Sequence, residues 1–159
     1  MDTLLIEDDP SSARITREVL QQIAPNARLT TAESAEEVVF LLEQWTLGTQ
    51  GGESGLLHPP EMVILDLGLP GMQGLELLER LRACPLTARV PIMIFTVSES
   101  VQERERAYAL GATMWVTKPK SAGNYRTLIG RMVATWERCL KPRTELPIAV
   151  SVSSEFDDC

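Results

Sequence analysis

The chain has 159 residues, 44% of them apolar, and a formal net charge of −7. That length suits one domain with one good core. The acidic balance disfavours nucleic-acid phosphates as a partner, and no apolar run is long enough to cross a bilayer. The start, Met1-Asp2-Thr3, lacks the basic residues and apolar stretch of a secretory signal. Cys84, Cys139 and Cys159 are odd in number and widely spaced, so they fit neither a zinc pattern nor a disulfide framework. A reducing cytoplasm is the expected compartment. The scattered cations Arg126, Arg131, Arg138, Lys141 and Arg143 read as a solvated helix face rather than a basic patch.

In chain order, Thr3–Glu7 reads as a buried strand ending in acids. Ser11–Ile23 reads as a helix, opened by Pro10 and Ser11 and stopped before Pro25. Arg28–Thr31 is a short second strand. Ser34 with Glu37 three residues later forms a capping box, and Val38, Leu41, Leu42 and Trp45 give that helix its apolar face. Thr46–Pro60, with four glycines, two prolines and the only histidine, reads as a long surface loop. Met62–Leu67 is an apolar run broken only by Asp66, as suits a parallel strand buried on both faces.

A helix is expected over Gln73–Arg82, a strand over Pro91–Thr96, and a polar helix over Ser98–Leu110 closed by Gly111. Thr113–Thr117 is the last strand. Ser121 then opens a final helix with Tyr125, Leu128, Ile129, Met132, Val133 and Trp136 at helical spacing. Residues 1–140 are expected to form the domain. The tail 141–159, with its prolines, serines and acids, is expected to be disordered. Strands alternating with helices predict an α/β fold: a doubly wound five-stranded parallel sheet with helices on both faces.

In such sheets the site lies beyond the C-terminal strand ends. Polar residues fall at four of them: Glu7-Asp8-Asp9, Asp66, Thr96 and Lys118. Converging carboxylates repel one another, and a hard dication such as Mg²⁺ relieves the repulsion with oxygen ligands. A lysine and a hydroxyl beside them suit phosphoryl transfer to a carboxylate. Each residue alone has a plainer explanation. Asp8 or Asp9 can simply cap the next helix, Lys118 before Pro119 can be loop chemistry, and Thr96 alone says nothing. Asp66 differs, because a partnerless acid in Met-Val-Ile-Leu-Asp-Leu is costly to bury.

The segments Leu-Leu-Ile-Glu-Asp-Asp-Pro (4–10), Val-Ile-Leu-Asp-Leu-Gly-Leu-Pro-Gly-Met-Gln-Gly (63–74), Ile-Met-Ile-Phe-Thr (92–96) and Gly-Ala-Thr-Met-Trp-Val-Thr-Lys-Pro (111–119) carry a resemblance. Over residues 3–139 the chain resembles the receiver domain of two-component response regulators, a flavodoxin-like fold. The resemblance implies that Asp66 is the phosphoacceptor for a histidine kinase or a phosphotransfer protein. It implies Mg²⁺ held by Glu7, Asp8, Asp66 and the backbone carbonyl of Gly68; a one-residue register shift of the acidic pair along Glu7-Asp8-Asp9 stays open. Thr96 and Lys118 would bind phosphoryl oxygens, Lys118–Pro119 would be a cis bond, and Trp115 would be a switch aromatic, with core packing as its plainer role.

Val97 stands where the family favours a smaller residue, which would crowd the phosphoryl group. Gly68 and Ser98 offer no strong acid or base, which implies slow loss of phosphate. The loop before the third strand, the Cys84–Pro91 stretch and the final helix resemble single-domain regulators paired with bacterial phytochromes. No output domain is expected after residue 140, so the output would be another protein, a relay, or a homodimer through the exposed part of the final helix. Two other readings stay open: a pseudo-receiver that only binds, and an aspartate-nucleophile phosphatase. Gly68 stands where such a phosphatase carries its second acid. No P-loop or G-x-G-x-x-G is present for a nucleotide.

Overall fold

The computed structural model describes residues 1–48, 58–71 and 73–140. Most of the expected 46–60 loop and the whole 141–159 tail lie outside the described residues. The elements run β1 (Asp2–Ile6), α1 (Pro10–Ile23), β2 (Arg28–Ala32), α2 (Ala35–Gly48), β3 (Met62–Leu65), α3 (Gly74–Ala83), β4 (Ile92–Thr96), α4 (Val101–Ala109), β5 (Met114–Thr117) and α5 (Tyr125–Leu140), the last preceded by a 3-10 turn over Ala122–Asn124. The strands pair in parallel in the order β2-β1-β3-β4-β5. The expected doubly wound sheet is therefore what the chain forms, with its reversal of strand order at β1.

Alternate residues of the central strands feed two cores. Leu4, Ile6, Val63, Leu65, Ile92 and Ile94 pack on one face with Val38, Trp45, Leu77, Leu78 and Leu81. Leu5, Met62, Ile64, Met93 and Phe95 pack on the other with Leu20, Ile129 and Met132. Burial on both faces is why these strands read as unbroken apolar runs rather than alternations. The face of α5 carrying Tyr125 and Met132 is buried in this second core, with Leu128 and Trp136 half-buried against it.

Three boundaries differ from expectation. Helix α2 continues through Thr46 to Gly48; the Thr46 hydroxyl donates to the Leu42 carbonyl one turn back (2.7 Å), so the hydroxyl is satisfied inside the helix. Helix α4 starts at Val101 rather than Ser98, because Ser100 is its N-cap and accepts from the Glu103 amide. The segment after Ser121 makes a 3-10 turn before α5 begins. The Ser34–Glu37 capping box forms one residue out: Glu37 N donates to Ser34 Oγ (3.2 Å), while the Glu37 carboxylate accepts from Glu33 N (2.8 Å).

Two glycines are set by close approach. Gly111 has φ +99°, and a Cβ there would lie 2.9 Å from Arg82 Nε. The Arg82 guanidinium donates to the carbonyls of Gly111 (2.7 Å), Val90 (2.7 Å) and Thr87 (3.1 Å), tying the end of α3 to the turn before β5. Gly74 opens α3 directly against the loop that follows Asp66: a Cβ there would lie 2.4 Å from Leu67 Cα. Gly74→Ala is therefore expected to cost about 3 kcal/mol, the upper part of the overpacking range. Urea unfolding measures it, and a midpoint equal to wild type would show that the loop yields freely.

Candidate functional site

Ladder bonds that continue past the strand ends hold the polar residues in register. Glu7 N donates to Ala32 O (3.0 Å), Asp66 N to Ile6 O (3.0 Å) and Lys118 N to Thr96 O (2.7 Å). The side chains of Glu7, Asp66 and Lys118 thereby meet in one crevice at the C-terminal edge of the sheet.

The cation lies between the two buried acids. Lys118 Nζ donates to Asp66 Oδ2 at 2.6 Å and also to Glu7 Oε2. Glu7 is 1% exposed and Asp66 7%. Asp66 Oδ1 accepts from Gly68 N (3.0 Å). Glu7 accepts from Ser12 Oγ (2.8 Å) and from Asp9 N (3.1 Å). Ser12 went unnoticed in the sequence: nothing local distinguishes it from Ser11, and only the packing of α1 turns it inward.

Exposed Asp8 completes the acidic set, with one oxygen each of Glu7, Asp8 and Asp66 within 4.8 Å of one another. Asp9 does not join them. Its Oδ1 accepts from Ser11 N (3.1 Å) as the N-cap of α1. The structure thus places Glu7 and Asp8 at the crevice and Asp9 at the cap. Three carboxylates and one ammonium leave an excess of negative charge. An all-oxygen donor set of this kind fits a hard dication.

Thr96 is 1% exposed, and its Oγ1 accepts from Ser98 N (3.3 Å). Accepting leaves the Thr96 hydroxyl proton free to be donated. Trp115 is half-buried against the core beneath α2 and α3, and its backbone N–H donates to the Tyr108 hydroxyl (3.0 Å). Val97, the residue after Thr96, is 72% exposed. The Lys118–Pro119 bond is trans, not cis as the resemblance implied, since no cis bond occurs among the described residues. Trans is the form favoured by about 0.5–1 kcal/mol for X–Pro, and Lys118 reaches both acids from it.

Burial raises the pKa of Glu7 and outweighs the lowering by Lys118, Ser12 and the Asp9 amide. Burial alone would lower Lys118, but the hydrogen bonds and charges of Asp66 and Glu7 outweigh it and raise that pKa. A dication needs Glu7 deprotonated, and a raised pKa means that protons compete from a higher pH than at an ordinary carboxylate. Mg²⁺ affinity is therefore expected to start falling on acidification at a pH above the usual glutamate range. Calorimetric titration at several pH values checks this; an affinity flat to pH 5 would contradict it.

The family model described as the response regulator receiver domain matches residues 3–129. The cell cycle transcriptional regulator CtrA of Caulobacter vibrioides is 30% identical over 119 residues, covering 75% of this chain and 44% of that protein. The chain thus spans less than half the length of that relative. Response regulator Rcp1 of Synechocystis is 24% identical over 133 residues, covering 84% of this chain and 86% of that protein. Its Mn²⁺-bound structure superposes with a TM-score of 0.72 at 24% identity, covering 85% of this chain and 93% of that one. The phosphorylated cyanobacterial phytochrome response regulator RcpA gives a TM-score of 0.74 at 22% identity, covering 86% and 93%. At these identities the solved structures speak for the fold.

Proposed function

Because this chain belongs to the response regulator receiver domain family, we propose that it is a signalling switch that accepts a phosphoryl group on Asp66. The observation that carries this reading is the Asp66 carboxylate beside Lys118 (2.6 Å), with Glu7 and Asp8 gathered around it. In the transfer, an Asp66 oxygen forms the new O–P bond as the P–N bond to a phosphohistidine donor breaks, and the donor imidazole keeps the bonding pair.

Glu7, Asp8, Asp66 and the Gly68 carbonyl would hold Mg²⁺, which when bound supplies charge neutralisation for the incoming phosphoryl oxygens. Lys118 keeps a donor to spare for one phosphoryl oxygen, since an ammonium has three and two are spent on Asp66 and Glu7. The free Thr96 proton serves another. These residues gain partners only when the phosphoryl group is present, so phosphorylation favours the conformation that brings Thr96 closer. Trp115, at the neighbouring strand, is the proposed aromatic partner of that shift.

The donor is a sensor histidine kinase or a phosphotransfer protein. The likeness to Rcp1, and to the cyanobacterial phytochrome response regulator RcpA, supports a phytochrome-type kinase. The output is a protein surface, with a homodimer as one form of it. The exposed candidates are α4, the free edge of β5 and the outer face of α5, where Arg131, Ala134, Glu137 and Arg138 are exposed. No helix is long and apolar enough to cross a membrane among the described residues, in keeping with action in the cytoplasm. Gly68 brings only a backbone amide to Asp66. The acid that a phosphatase would use two residues beyond its nucleophile is therefore missing.

Incubation with Mg²⁺ and acetyl phosphate, followed by intact mass, tests the reading. The expected result is one added phosphoryl group. A chain that gains none would be a binding module instead.

A further inference from the structure

We infer that Ser98 couples the Thr96 hydroxyl to the first turn of α4, acting as a positioning residue through its neighbours; the inference rests on the proposed phosphorylation of Asp66. Ser100-Val101-Gln102-Glu103 has the S-x-x-E spacing of a capping box, and Ser100 Oγ accepts from Glu103 N (3.2 Å) as that motif requires. The return half of the box is not made in the usual way. The Glu103 carboxylate does not reach the Ser100 amide. Ser100 N donates instead to Ser98 Oγ (3.2 Å), and Ser98 Oγ donates to the Glu103 carboxylate. The box closes through Ser98.

The backbone of the same residue faces the site. Ser98 N donates to Thr96 Oγ1 at 3.3 Å, a long bond that is easily given up. One serine therefore joins the buried hydroxyl at the end of β4 to the cap of the next helix.

Helix α4 depends on that cap more than its neighbours depend on theirs. Ala107 is its only buried residue, whereas α3 buries Gly74, Leu77, Leu78 and Leu81. An element with so little buried surface opens at low free energy. When Thr96 moves to donate its free proton to a phosphoryl oxygen, its Oγ1 draws away from Ser98 N and the 3.3 Å bond is given up. Ser98, no longer held at Thr96, shifts with its loop, its hydroxyl no longer spans Ser100 N and the Glu103 carboxylate, and the first turn of α4 loosens. Phosphoryl capture is thereby read out as a change in the exposed helix beside β5.

Hydrogen–deuterium exchange of peptides covering residues 98–106 tests this in wild type, Ser98→Ala and Ser98→Thr, each with and without Mg²⁺ and acetyl phosphate. Without phosphate, Ser98→Ala is expected to exchange its first-turn amides roughly fivefold faster, the effect of losing one N-cap. Phosphorylation should produce a similar rise in wild type and no further rise in Ser98→Ala. Ser98→Thr, which keeps the hydroxyl, should restore wild-type behaviour. A Ser98→Ala chain exchanging at the wild-type rate, or still responding to phosphate, would overturn the coupling. Intact mass on the same samples separates two failures. Phosphoryl uptake with an unmoved α4 rejects the coupling alone, and no uptake by wild type rejects both the coupling and the phosphorylation reading.

Discussion

Asp66→Asn is expected to abolish phosphoryl uptake from acetyl phosphate while leaving the fold intact. The amide keeps the volume of the carboxylate and its hydrogen bond from Gly68 N, but it is no longer a nucleophile for phosphorus. It also removes one of the negative charges that meet Glu7 and Asp8 within 4.8 Å. The metal-free variant should therefore melt at or above the wild-type temperature, because relief of like-charge repulsion opposes any loss of the ion pair to Lys118. Intact mass and thermal unfolding on the same sample separate the two effects. Equal uptake by Asp66→Asn would move the acceptor elsewhere, and a collapse of the melt would make the missing uptake a folding defect.

Lys118→Met is expected to give the largest loss of stability of any change at the site, about 3 kcal/mol in the presence of a chelator, the low end for breaking a buried ion pair by removing one partner. The Lys118 side chain is 7% exposed and lies between Glu7 and Asp66, so its removal leaves two buried carboxylates facing each other. The low end is appropriate because Glu7, already raised in pKa by burial, can take up a proton and quiet the repulsion. Mg²⁺ should stabilise this variant more than it stabilises wild type, since a dication supplies the positive charge that the variant lacks. Urea unfolding with chelator and with Mg²⁺ measures both quantities. A variant as stable as wild type in chelator would show that the acids do not depend on the ammonium, and an equal Mg²⁺ increment in both chains would place the dication away from them.

Much of this site is legible in the chain because the relevant signals are local. An apolar run interrupted by one acid marks Asp66 before any coordinate is known. The alternation of strands with helices then puts Glu7, Thr96 and Lys118 at equivalent strand ends. Local signals fail where one residue type serves two purposes at adjacent positions. Glu7, Asp8 and Asp9 are successive acids before the same helix, and which one caps α1 depends on where the chain turns after β1. The structure gives the cap to Asp9, through Ser11 N, and turns Glu7 inward against Ser12. Helix α2 runs past its expected end although Thr46 and Gly48 are poor helix formers on average, because Thr46 satisfies its hydroxyl within the helix itself.

The sequence by itself determined the kind of fold and the residues that gather at its C-terminal edge, since hydrophobic period and element order follow from neighbours along the chain. Only the tertiary structure decided who touches whom. Lys118 finds Glu7 and Asp66 because β1 and β3 lie side by side in the order β2-β1-β3-β4-β5, with the Lys118 side chain reaching both from the end of β5. Ser98 closes the capping box of α4 because that helix begins later than its polar residues suggest. Such pairings carry the electrostatics of the site and its link to the surface. They arise from strand order and loop geometry, which composition and periodicity leave undetermined.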